Sequence, residues 1–345
     1  MYFASDNSGP VHPAIMDALN KVNQGFAMGY GDDPEMQQVR AHLREVFEAP
    51  DAAIYLTISG TAANSLALST LCSPMQTVFC SNVAHIHEDE CNAPEFFTGG
   101  AKLTLVPGGN KMTPEALRAS IEGEETRGVH GPQRGPVSIS QVTERGGVYS
   151  IAQLQALTAV AREFDLKVHM DGARFANALV TLNHSPAEMS WKSGVDVLSF
   201  GGTKNGCMGV EAVIFFDPSH GWEFELRRKR AAHLLSKHRY LSAQMLGYLK
   251  DDLWLTLARQ ANARCARLTQ GLRAAGAQFQ HEPDANILFA TLPRRVHQTL
   301  HDAGAAYHLL DGPLAGDPDE MLAMRLVCDW SISNDLIDRF LGLLK

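Results

Sequence analysis

A surplus of positive charge is what this sequence most plainly lacks. Its 30 Lys and Arg residues face 38 Asp and Glu, a formal net charge of -8. A surface of that sign repels phosphate backbones on average, so no nucleic-acid partner is expected. No stretch is apolar for long enough to span a bilayer, and the opening MYFASDNSGP has neither the basic stretch nor the apolar run of a signal peptide. No membrane partner is therefore expected, and a cytoplasmic location is. The six cysteines (Cys72, Cys80, Cys91, Cys207, Cys265, Cys328) are scattered with no C-x-x-C pair. That spacing excludes a zinc ribbon or a disulfide framework and leaves them as reduced core residues. Internal repeats and low-complexity tracts are missing as well.

What remains is an ordinary globular composition, 45% hydrophobic and 20% charged over 345 residues, long enough for one large and one small domain. Short apolar runs rich in β-branched residues alternate with amphipathic stretches: AAIYLTIS, TAANSLALSTL, TVFCS, KLTLVP, EALRASIEGEE, PVSISQV, IAQLQALTAVAREF, KVHMD, VDVLSF and AVIFF. Strands separated by helices predict an α/β fold with a mostly parallel sheet, whose ligands sit at the carboxyl ends of the strands. After about residue 222 a long helical pattern runs without a strand to Gly276, and NILFATL, MRLVCDW and ISNDLIDRFLGLLK close the chain. The expected division is a large domain over 1–240, with an N-terminal arm, and a small α/β domain over 241–345.

Four segments carry chemistry. KVHMDGAR ends a strand on Asp171, followed by a glycine turn and Arg174; such an aspartate either caps the next helix or reaches a ligand. VDVLSFGGTKNG runs a strand into Gly201, Gly202, Thr203 and Lys204, a tight turn in which a desolvated amine is suited to a Schiff base. Thirty-three residues apart on successive strands, Asp171 and Lys204 together match what pyridoxal phosphate (PLP) requires: a lysine for the imine and a carboxylate for the pyridine nitrogen. LTISGTAANSLAL places Ser59, Gly60 and Thr61 between a strand and a helix, where free amides and the helix dipole favour a phosphate. It is not a P-loop, since that motif's lysine and outer glycine are absent. In NVAHIHEDECNAPEFF, His85 and His87 precede Glu88, Asp89 and Glu90. Read as a strand, the segment turns both imidazoles to one face, but no third ligand is evident and no metal is expected. His85 is instead the candidate for a flat ring stacked on the cofactor.

The sequence resembles the threonine aldolase family, including members described as phenylserine aldolases. The likeness runs through FASDN, GYGDDPEM, SGTAANSLAL, AHIHEDECNAPEFF, QVTERGGVYS, VHMDGARFANAL, SFGGTKNGCMGVEA and RLVCDW. It implies the PLP-dependent transferase fold type I, aspartate aminotransferase-like, with a large, mostly parallel seven-stranded sheet and a smaller C-terminal domain. It also implies roles. Lys204 would carry PLP, Asp171 would hold the pyridinium proton and His85 would stack. Ser59, Gly60 and Thr61 would hold the phosphate, and Thr203 and Arg174 would also be cofactor-binding. Arg174 and Arg325 would bind the substrate carboxylate with Ser5 nearby, and His130 would stand by the substrate hydroxyl. Tyr30 would approach from a neighbouring subunit, in a homodimer or homotetramer with sites at the interfaces.

Two departures stand out against the family pattern. A glycine-rich stretch after a basic pair is replaced by RRKRAAHLLSKHRYLSA, which leaves Lys229, Lys237 and Arg239 as alternatives for reaching a partner's phosphate. After the late arginine, Val327, Cys328 and Asp329 replace the usual V-T-H. The implied reaction is retro-aldol cleavage of an L-β-hydroxy-α-amino acid (L-threonine, L-allo-threonine, L-phenylserine) to glycine and an aldehyde, with the β-hydroxyl proton removed by a histidine or a histidine-held water. Cα configuration is expected to be strictly L. At Cβ the hydroxyl is expected to meet either His85 or His130, so that both diastereomers react. The alternatives are another fold type I enzyme (transaldolase, β-eliminating lyase or aminotransferase) or a PLP-binding protein without turnover.

Overall fold

Five- to eight-residue runs of β-branched and aromatic side chains bury best as strands covered on both faces. In the computed structural model, which describes residues 1–344, seven of them form one sheet: β1 (Ala53–Thr57), β2 (Gln76–Ser81), β3 (Lys102–Val106), β4 (Gln133–Ser140), β5 (Val168–Gly172), β6 (Val197–Gly201) and β7 (Glu211–Phe215). Their order is β1-β7-β6-β5-β4-β2-β3. The pairs from β3 to β6 are parallel, while β7 is antiparallel to both its neighbours, β1 and β6. The sheet is thus mixed but mostly parallel. β5, β6 and β7 are buried at every position, as expected of central strands.

Helix starts follow local chemistry. Ser59 caps the helix Gly60–Leu71 by accepting the Ala62 amide at 3.3 Å. Ser150 and Gln153 form a reciprocal capping box at the head of Ile151–Glu163. The long helical pattern after residue 222 resolves into Gly221–Arg230, Arg239–Leu249 and Leu253–Ala274, the last two separated by left-handed backbone at Asp251 and Asp252, both at φ 52. Among the described residues no helix is long and apolar enough to cross a membrane.

A second, antiparallel sheet of four strands, β8 (Gln278–Phe279), β9 (Ile287–Pro293), β10 (His308–Leu309) and β11 (Met321–Val327), has the order β10-β11-β9-β8. The N-terminal segment joins this sheet. The Phe3 amide donates to the Ala306 carbonyl at 2.8 Å, the Val327 amide to the Phe3 carbonyl at 2.8 Å, and the Phe3 ring lies in the small core. The packing does not divide at residue 241. Leu241, Met245 and Tyr248 belong to the large core, as do Trp254 and Ala258, whereas Cys265, Leu268 and Leu272 belong to the small one. The helix Leu253–Ala274 therefore serves both cores, and the division lies within it because its apolar face changes partner partway along.

Candidate active site

The carboxyl ends of β1, β5 and β6 and the amino end of the reversed β7 meet at one edge of the large sheet. That edge is where parallel sheets present ligands. A cleft of about 260 Å³ opens there, and Ser59, Gly60, Thr61, His85, Asp171, Thr203 and Lys204 all line it, together with Asn7, Asn64, Glu90 and Glu211. A larger groove of about 540 Å³, between Val180 and Gln270, holds none of the expected groups.

Each side chain has a local reason for its place. Asp171 is the fourth residue of β5 and buried; its Oδ1 accepts the Ala173 amide at 3.0 Å and its Oδ2 accepts Asn64 Nδ2 at 3.0 Å. The strand that leads to Lys204 lies hard against that turn. A Cβ on Gly201 would fall 2.4 Å from the Ala173 carbonyl oxygen, so only glycine admits the approach. Lys204 follows in a short 3₁₀ turn, Thr203–Asn205. The turn is braced by Thr203 Oγ1, which accepts the Val210 amide at 3.1 Å, and by Asn205 Nδ2, which donates to the Tyr248 hydroxyl at 2.7 Å. Opposite, a Cβ on Gly60 would meet nothing within 4 Å. The first turn of the Gly60–Leu71 helix thus faces open cleft; Ser59 takes the Ala62 and Ala63 amides, which leaves those of Gly60 and Thr61 for an anion.

His85 sits in a short helix, His85–Glu88, rather than a strand. Residues i and i+2 then point apart, so His87 is exposed and only His85 lines the cleft. The helix also brings Glu90 back beneath the ring, with Glu90 Oε1 and His85 Nδ1 2.8 Å apart. The same oxygen accepts Asn64 Nδ2 at 2.9 Å, which completes a chain from the half-buried His85 through buried Glu90 and Asn64 to Asp171. The Glu90 contact pushes the His85 pKa up against the opposing effect of burial, and the Asp171 and Glu144 charges act in the same direction. Burial raises the Glu90 carboxyl, partly offset by His85 and Asn64.

The two arginines are not equivalent. Arg174, 8% exposed, gives Nε to Asp6 Oδ2 at 2.6 Å and Nη2 to Asp6 Oδ1 at 2.9 Å. Asn286 Nδ2 adds a third contact to Asp6 at 3.1 Å. Burial would raise the Asp6 carboxyl, but the Arg174 and Lys204 charges overcome it and hold it low. The carboxylate fork expected of Arg174 is therefore already filled from within. Arg325 instead donates through Nη2 to the Ala4 carbonyl at 3.1 Å, while its buried Nε has no partner. Burial and the charge of Arg174 both lower its pKa. Ser5 lies between the Ala4 carbonyl that Arg325 holds and the Asp6 carboxylate that Arg174 holds.

Ser5, Arg174 and Arg325 are not among the residues that line the cleft, and two further expected residues stand elsewhere. His130 is exposed in the turn Gly128–His130, which precedes the amino end of β4, whereas Asp171 pairs with Ser140 at the other end of that strand. Eight residues of strand, at about 3.3 Å each, place roughly 25 Å between the two levels. The choice between His85 and His130 for the hydroxyl is therefore not available within one chain. Tyr30 lies on an exposed loop, its amide donating to the Ser236 carbonyl at 3.2 Å and its ring under Lys229 Nζ at 4.6 Å.

Comparison with known proteins gives the family and the fold. A family model described as beta-eliminating lyase matches residues 2–294. A low specificity L-threonine aldolase from a Pseudomonas species is 40% identical over 332 residues, spanning 95% of this chain and 92% of that protein. The enzyme of the same description from Pseudomonas aeruginosa matches to the same extent. The chain belongs to the threonine aldolase family. A Leishmania major threonine aldolase structure superposes with a TM-score of 0.93 at 26% identity, covering 99% of this chain and 98% of that one. A serine palmitoyltransferase from Sphingomonas wittichii shares the fold alone, with a TM-score of 0.74 at 16% identity, covering 100% of this chain and 86% of that one. This threonine aldolase fold is the fold type I of PLP enzymes.

Sequence reasoning missed Asn64, Asp6 and Glu211 and gave Glu90 no role. Asn64 lies three residues after Thr61, on the same face of its helix. Glu211 is the lone charge in an otherwise apolar strand, EAVIF, a signal that was visible.

Proposed function

We propose that the chain is a low-specificity L-threonine aldolase that cleaves L-threonine, L-allo-threonine and L-phenylserine to glycine and the corresponding aldehyde. The observation that carries this reading is that Lys204 and Asp171 line one cleft with the open first turn of the Gly60–Leu71 helix. PLP fits the residues present: a lysine for its carbonyl, a fixed carboxylate for its ring nitrogen, free helix amides for its phosphate, and a buried Asn64 Oδ1 that still lacks a donor. When bound, it supplies an electron-poor ring that draws charge from the substrate α-carbon.

In this reading Lys204 holds the cofactor through Nζ. Ser59, Gly60, Thr61 and Thr203 would hold the phosphate, and Asp171, oriented by Asn64 and the Ala173 amide, would keep a proton on the ring nitrogen. His85, oriented by Glu90, would stack on the ring of the bound cofactor and would take the proton of the β-hydroxyl directly or through a water. Arg325 receives the α-carboxylate on its unpartnered edge, a fork suited to bidentate binding. Arg174 acts one step back, through Asp6. With the carboxylate, the amine and the broken bond fixed in three directions, only the L configuration at Cα places the Cα–Cβ bond for cleavage.

The proposal extends to a second copy. Phe26, Met28 and Tyr30 on one loop and Ile58 and Met208 at the cleft mouth are large apolar residues left exposed, which suits an interface between copies and a dimer or tetramer. Of the three basic alternatives, Lys229 lies over Tyr30 and Arg239 Nη1 donates to the Gln24 and Gly25 carbonyls. Lys237 is exposed and is the one we assign to a partner's phosphate. A cytoplasmic location accords with six free cysteines, five of them buried.

The family description, beta-eliminating lyase, keeps one other reading in play. Purified protein given PLP and L-threonine separates the two. Equal amounts of glycine and acetaldehyde support aldol cleavage, whereas a keto acid with ammonia would replace it with elimination.

A further inference from the structure

The mechanism above leaves one buried carboxyl of the cleft without a task. Glu211 opens β7, and the register places it opposite Thr57 of β1 and Gly201 of β6. Those two residues lead directly into the Ser59 turn and the Lys204 turn, so a single side chain sits where the two halves of the cleft floor meet. It is 6% exposed and lines the cleft beside Lys204. Its Oε2 accepts the Gly202 amide at 2.8 Å, two residues ahead of Lys204. A Cβ on Gly202 would fall 2.7 Å from the Val210 carbonyl oxygen, so the turn and β7 already touch.

A carboxyl in a fully buried strand is costly unless something compensates its charge. The groups facing it can be named element by element. Lys204, from the turn after β6, favours its ionised form, and Asp171 of β5 opposes it. The Cys207 thiol beyond the turn and the Tyr248 phenol of the helix Arg239–Leu249 are both pushed up, in part by Glu211 itself. Thr57 of β1 is uncharged. Burial dominates and raises the Glu211 carboxyl to about 7, despite the Thr203 and Gly202 hydrogen bonds and the Lys204 charge.

We propose that Glu211 is a positioning residue for Lys204: it ties the Gly201–Lys204 turn to β7 and supplies, alongside Asp6, a counter-charge that sets how readily the lysine amine reacts. The inference rests on the reading that Lys204 carries the cofactor. It predicts an amine whose reactivity follows the charge of Glu211, not merely a turn that Glu211 props up.

The test uses the cofactor-free full-length chain and dilute acetic anhydride, with labelling of each lysine read by peptide mass spectrometry at pH 5 and pH 8. Glu211→Gln keeps an acceptor for the Gly202 amide but carries no charge. Labelling of Lys204 should rise about five-fold over wild type at pH 8, where the carboxylate is ionised, and match wild type at pH 5, where it is protonated. A structural prop alone would leave Glu211→Gln indistinguishable from wild type at both pH values, and that result overturns the proposal. Glu211→Ala removes the acceptor too, but Glu211→Gln decides the question even if the alanine variant does not fold. A parallel sample of wild type is treated with PLP and borohydride. A phosphopyridoxyl mass away from Lys204 would defeat the underlying reading, whereas the mass on Lys204 with an indifferent Glu211→Gln defeats this inference alone.

Discussion

The wall of residues that lines the cleft and a second wall of arginines outside that lining, where Arg325 meets the N-terminal segment, are finished to different degrees. On the wall that lines the cleft, Asp171, Asn64, Glu90 and the half-buried His85 are bonded to one another in a chain. On the other wall, Arg325 keeps a buried Nε with no partner, beside an Arg174 whose fork is filled by Asp6. The first arrangement is that of a rigid socket, whose side chains hold their orientation before anything binds. The second is that of a receptor, because a desolvated guanidinium gains most when an anion arrives. A cofactor that stays and a substrate that comes and goes call for that division of labour.

Breaking the socket should have the largest effect. Asp171→Asn leaves Asn64 and the Ala173 amide a similar shape to hold but removes the carboxylate charge, and kcat should fall by about 10²–10³-fold while thermal unfolding of the apoprotein changes little. A variant with wild-type kcat would show that Asp171 is only a turn former. The receptor wall should respond in a different parameter. Arg325→Lys replaces a fork by a point charge, so kcat/KM should drop by roughly 2 kcal/mol, chiefly through KM. If Arg174→Lys raises KM as much without loss of stability, the assignment of the two arginines is reversed.

A finer comparison lies inside the socket. Glu90 raises the pKa of His85, and a base acts only after losing its proton, so the acid limb of the pH profile should follow that raised value. Glu90→Gln keeps an oxygen for Asn64 but removes the charge. The acid limb of kcat/KM should then move toward lower pH, and a limb that stays put would detach His85 from the proton transfer. The smallest effect is expected outside both walls. His130→Ala should leave stability within about 0.5 kcal/mol and leave the ratio of L-threonine to L-allo-threonine turnover unchanged in a monomeric site. A changed ratio would mean that His130 reaches a cleft from another copy.

The same contrast explains what the sequence disclosed. The strand runs from AAIYLT to AVIFF were legible because burial on both faces demands continuous apolar residues, and Asp171, Lys204 and Ser59 because each interrupts such a run at its end. The Asp6–Arg174 pair was not legible, since its partners are 168 residues apart and nothing local marks an aspartate in SDN as the anion that fills DGAR. The histidine pair misled because AHIHEDE has alternating polarity that suits a strand, while a short helix satisfies it equally and turns His87 outward. His130 was placed by likeness to a motif, and only the direction of β4 shows that it lies at the opposite end of the sheet. The change of core partner within Leu253–Ala274 is not legible, because a helix shared by two cores has no break in composition.

The central claim is that this one cleft, through Lys204, releases glycine from L-β-hydroxy-α-amino acids. Glycine formation from L-threonine, measured side by side for PLP-treated wild type and Lys204→Ala at equal protein concentration, tests it most directly. Steady glycine release by wild type and background release by Lys204→Ala is the predicted result, and sustained release by the variant would contradict it.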